Sequence, residues 1–146
     1  MNLPHKHLLV DSKEAATNLY IMNRFIKVDS GGKANLCGLN EKAAGSIIEP
    51  VDAGQQASIC SFGIVIMETG GVFAAGDRLT SDADGRAIKL PVMTIVNGSI
   101  AGVFTLDTLL NATVPAGSFN ISAAPCNGLA YQGSNGEGEF IQVLIT

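Results

Sequence analysis

AAGSIIEPVDAGQQASICSFGIVIMETGGVFAAGDRLTSDADGRAIKL, residues 43–90, is the stretch whose punctuation decides the fold. Ser46 to Val51 runs into the turn cluster Asp52-Ala53-Gly54, and Gln56 to Phe62 follows with β-branched, small and aromatic residues. Ile64 to Glu68 reads as an apolar strand bounded by Gly63 and by Gly70-Gly71. Arg78 to Thr80 and Ala87 to Leu90 flank Ser81-Asp82-Ala83-Asp84-Gly85, a hairpin turn. Short strands at this spacing predict a barrel or a sandwich.

Outward from that stretch the same grammar continues. Phe25 to Val28 alternates and stops at Asp29-Ser30-Gly31-Gly32, and Glu139 to Thr146 (EFIQVLIT) closes the chain as an apolar strand. Seventeen glycines and five prolines leave few uninterrupted runs long enough for a helix. Ser12 to Tyr20 (SKEAATNLY) is the one good helical candidate, with a capping serine and an acidic first turn; Leu106 to Leu110 is a weaker one. The expected class is mainly β, a small β-barrel or β-sandwich of short strands with one short helix at most near the N-terminus. No linker interrupts the 146 residues, so a single β-rich domain over 1–146 is expected, divided into an N-terminal arm (1–23) and a β core (24–146).

Composition narrows the function. The chain is 47% hydrophobic and only 15% charged, against roughly 25% charged in an ordinary domain. Its net charge is −4, its nine Lys and Arg are scattered singly, and none follows Lys89, so no basic footprint for nucleic acid is expected. Between Lys89 and Glu137 the only charge is Asp107, which marks that stretch as core or as contact with another subunit. The N-terminus lacks the apolar run of a secretion signal, and Phe62 to Met67 is far short of the roughly 20 residues that span a bilayer. Neither membrane insertion nor export is expected, and synthesis in the cytoplasm is.

No catalytic constellation emerges. The only histidines, His5 and His7, sit at the very start of the chain, away from any nucleophile. Cys37, Cys60 and Cys126 are odd in number, follow no metal spacing, and read as small buried residues. Asp82 and Asp84 beside Gly85 are turn residues; a calcium loop placed there would need ligands at Thr80 and Pro91. Gly70-Gly71 and Gly133 to Gly138 read as turns that need positive φ, since neither carries a phosphate-loop pattern. With no tryptophan and 5% aromatics, a stacking surface for bases or sugars is not expected either. The expectation is a protein with no catalytic residue, no metal and no cofactor.

Several pieces of the chain, in order, carry a resemblance. They are Gly45-Ser46-Ile47-Ile48, Ala53-Gly54-Gln55, Gly63-Ile64-Val65, Ala75-Gly76-Asp77-Arg78-Leu79 and Ser81-Asp82-Ala83-Asp84-Gly85-Arg86-Ala87, with a Gly-Glu turn at Gly136-Glu137 entering the final strand. This succession resembles the capsid cement (decoration) proteins of tailed bacteriophages. The resemblance implies a structural virion protein on the capsid exterior, which bridges neighbouring major capsid subunits and stabilises the shell. Its partners would be the major capsid protein and itself, as a homotrimer before a dimer. A phage head fibre or other exposed virion adhesin is the alternative, and a cellular enzyme or ligand-binding barrel a third reading. The segment 1–23 mixes apolar and charged residues without enough of either for a core or a solvated tail. It is therefore expected to order on contact with a neighbouring subunit or the major capsid protein, through Leu8, Leu9 and Tyr20.

Overall fold

The computed structural model describes residues 6–91 and 124–146; for residues 6–8 it describes the backbone only. Nine strands follow in chain order: β1 (Lys6–Glu14), β2 (Phe25–Val28), β3 (Ala34–Leu36), β4 (Gly45–Ile47), β5 (Gln56–Gly70), β6 (Arg78–Ser81), β7 (Ala87–Lys89), β8 (Gly128–Ala130) and β9 (Glu137–Ile145). There is no helix among the described residues.

The 15-residue β5 is the spine. Its second half pairs antiparallel with β9, β9 with β8, β8 with β6 and β6 with β7, and the single parallel pair Thr69–Ala87 returns β7 to β5. These five strands close on themselves, which leaves the ring without an open edge. Val65, Met67, Leu79, Ala130, Ile141, Val143 and Ile145 fill its interior. The first half of β5 carries β4 on one edge and β1 on the other. Ladders β4–β2 and β2–β3, with the lone bridge Ala34–Ala15, close a second and looser ring. Ala15, Leu19, Ile26, Ala34, Ile47, Val51, Ala57 and Ile59 form its separate core.

Several expectations are corrected here. Two strands separated at Gly63 are in fact one. Gly63 lies inside β5 at φ 138°, a backbone state open to glycine, so the strand bends between the two rings without breaking. The helix expected over Ser12 to Tyr20 is absent. Lys6 to Glu14 instead forms β1, and Ala15 and Leu19 bridge to Ala34 and Val51. A helix of nine residues is marginal by itself, and the open edge of β5 offers the same backbone groups a full ladder. The arm is corrected with it. Its described part is a sheet strand followed by two core residues, Ala15 and Leu19, at 1% and 5% exposure. Of the glycines expected at positive φ, only Gly138 has it, at 83°. Gly70 is needed for space instead, because a Cβ there would lie 2.5 Å from the Asp82 carboxylate. The Leu106 to Leu110 turn and residues 92–123 of the stretch around Asp107 lie outside the described residues.

Candidate functional site

Charge is spent inside the framework. The Arg86 guanidinium gathers three carboxylates: Asp82 at 2.7 Å, Asp84 at 3.6 Å, and Glu137 at the start of β9. Asp82 also accepts the N–H groups of Asp84 (2.9 Å) and Arg86 (2.8 Å), the local bonding expected of an aspartate that shapes a turn. Arg24 bonds Glu68 at 2.6 Å and the Asp84 carbonyl at 2.8 Å, tying the start of β2 to β5 and to the β6–β7 turn. Lys27 holds Glu41 at 2.6 Å, and this bond, with the Gly38 N–H, lowers the Glu41 pKa. Burial pushes the Cys37 thiol up to about 12 and raises that of Cys60, so neither offers a thiolate nucleophile near neutrality. Cys37, Cys60 and Cys126 are all free thiols.

Concave chemistry is scarce. Among the described residues no group of three or more His, Cys, Asp or Glu is arranged to hold a metal. A cleft between Met22, Ser46, Ile48 and Ile66 has about 20 Å³, room for one water. Outside that cleft lies the solvent-exposed surface of the described residues.

Of the ten large apolar residues exposed among the described residues, seven lie in three places, and Val28, Leu39 and Val72 are the others. Leu9 on β1 faces Phe62 on β5, and Val10 follows opposite Cys60; the three are 58%, 44% and 48% exposed. On the outer wall of the closed ring Tyr131 lies beside Gln142, and Phe140, two residues on, shares that face; both aromatics are more than half exposed. Tyr20 and Ile21 form the third place, where the Tyr20 hydroxyl donates to Asp52, a bond that raises the phenol's pKa.

Of the residues expected to make contacts, Leu9 and Tyr20 are both on the surface, Leu9 within the β1–β5 ladder and Tyr20 outside it, bonded to Asp52. Leu8 lies in β1 where the register slips between His7 and Leu9. Phe62, Val10, Tyr131 and Phe140 went unremarked as contact residues. For Phe140 the signal was present: in EFIQVLIT the positions Phe140, Gln142 and Leu144 share one face, and Ile141, Val143 and Ile145 the buried one.

No protein-family model matches the chain, and no curated protein matches it. Among solved structures, a crystal structure of the N base of head fibre gp8.5 in bacteriophage phi29 superposes with a TM-score of 0.57, covering 94% of this chain and 93% of that one. The fold is similar to that of a phage head-fibre base. Sequence identity is 16%, so the likeness is one of architecture, and no residue role carries across with it.

Proposed function

We propose that this chain is a structural protein of a phage head, made in the host cytoplasm. It docks on the outside of the shell and bridges neighbouring major capsid subunits. The observation that carries this reading is the fold likeness to a head-fibre base over nearly the whole of both chains. The surface supports it: the framework ion pairs occupy much of the charge, and Phe62, Tyr131 and Phe140 are exposed aromatics, a class enriched at protein contacts, with Leu9 and Val10 adding exposed apolar area. No reaction chemistry enters the proposal, and no cofactor.

The neighbour's own name favours a second reading, in which this chain is the seat of a head fibre and adds nothing to shell strength. Purified protein added to expanded shells that lack it separates the two. Bridging predicts density across the junctions between capsomers and a higher temperature of shell disruption. Bound protein at isolated positions with unchanged heat resistance would support the fibre seat, and no binding at all would overturn both.

A further inference from the structure

Two Asn-Gly pairs lie among the described residues, and the structure treats them oppositely. Asn127 is 1% exposed, and its side-chain amide is held at both ends: Oδ1 accepts the Ala43 N–H at 2.9 Å and Nδ2 donates to the Glu41 carbonyl at 2.8 Å. Gly128, which follows, is fixed in β8 against Leu79 on one side and Ile145 on the other. Asn135 is exposed, and its side-chain amide makes no hydrogen bond among the described residues. It sits in the turn between β8 and β9, and the N–H of Gly136 donates only at 3.3 Å, to the Ser134 hydroxyl. A Cβ on Gly136 would meet nothing within 4 Å.

We propose that Asn135 is a site of spontaneous covalent modification, deamidation through a cyclic imide, and that Asn127 is protected from the same reaction. The Gly136 backbone nitrogen gives up its proton to solvent base and forms a bond to Cγ of Asn135. The side-chain nitrogen leaves that carbon as ammonia, and a five-membered succinimide remains. One water then opens the ring. Cleavage at Cγ returns an aspartate, and cleavage at the main-chain carbonyl gives an isoaspartate whose backbone runs through Cγ. The sum is amide plus water to carboxylate plus ammonium, with no oxidant or enzyme. At Asn127 two hydrogen bonds must break before Cγ can turn toward its neighbour, and water has no access; at Asn135 neither obstacle exists. The difference sets Asn135 to react about tenfold faster or more.

The product changes the molecule locally. A new negative charge appears beside Glu137 and Glu139, and Glu139 already accepts the Asn135 N–H at 3.0 Å. The isoaspartyl form also lengthens the main chain next to Ser134, whose N–H and carbonyl hold Phe73 in a two-bond bridge at 2.9 and 3.1 Å.

The test is incubation of the intact, folded chain in mildly alkaline buffer, followed by peptide mapping that separates asparagine, aspartate and isoaspartate at each Asn-Gly pair. The expected result is accumulation of both acids at Asn135 at least about tenfold faster than at Asn127, with the two rates converging when the chain is unfolded in urea. Gly136→Ala, which the open space at that position accommodates, should slow conversion at Asn135 in the folded protein. Equal rates at the two sites in the folded protein, or faster reaction at Asn127, would overturn the assignment. So would a Gly136→Ala variant that still folds and converts at the original rate.

Discussion

A Cβ on Gly45 would lie 2.0 Å from the Cys60 carbonyl oxygen, so β4 can approach β5 this closely only through a residue without a side chain. Gly45→Ala should therefore cost about 1–3 kcal/mol in denaturant unfolding, the range for forcing atoms into a packed site. An unchanged midpoint would mean that β4 has slack to move. Leu9 and Phe62 stand at the other extreme, exposed on the surface. Leu9→Ser with Phe62→Ser should leave the unfolding midpoint nearly unchanged while lowering occupancy on shells, and wild-type occupancy would remove this edge from the docking surface. The carboxylates give a pH dependence of definite sign. The Glu41 pKa is lowered by Lys27 and the Gly38 N–H, and that of Asp77 by the Ala74 N–H and Lys89. A depressed carboxylate stabilises the fold above its unfolded value and loses that contribution as pH falls through its folded one. Stability should hold at neutral pH and decline below about 4, the ordinary carboxylate range; Lys27→Met should make the decline shallower, as read by thermal melts across that range.

At the scale of elements, β1 decides most. Removal of residues 1–22 takes away β1, Ala15 and Leu19, and so opens the second ring. The loss of Leu19 alone is worth about 2–5 kcal/mol, and the truncated chain should unfold or show a much lower midpoint. A truncated chain of wild-type stability would return this segment to the status of a docking arm. The same element shows where sequence reasoning reaches its limit. Strands with their own boundary signals were legible: FIKV before Asp29-Ser30-Gly31-Gly32, the β6–β7 hairpin around Asp82 to Gly85, and the final strand from Glu139. β1 was not, because KHLLVDSKE has no alternation of its own and is a strand only through its ladder with β5. Gly63 misled for a related reason, since a glycine that ends one strand and a glycine that bends a longer one leave the same letter. For the candidate site, Leu9 and Tyr20 were legible as apolar residues without a core position, whereas the pairing of Leu9 with Phe62 depends on a register slip that no local pattern encodes.

The whole molecule consists, in its described residues, of two rings strung on one strand, with ion pairs that tie turns and strands together and with several exposed apolar side chains. A fold of this kind is suited to rigid docking, because closed rings hide the edges through which sheets aggregate. Self-association belongs to the same proposal: a homotrimer before a dimer, each interface burying about 1,200–2,000 Å² or more. Native mass measurement of the free protein should find that trimer, and a monomer at all concentrations would count against it. The central claim is docking on the shell exterior with a gain in its strength. The measurement that tests it most directly is imaging of expanded shells with and without the added protein, paired with their temperature of disruption. The account predicts ordered density on the outer surface over the junctions between capsomers and a raised disruption temperature; shells that stay bare at saturating protein would contradict it.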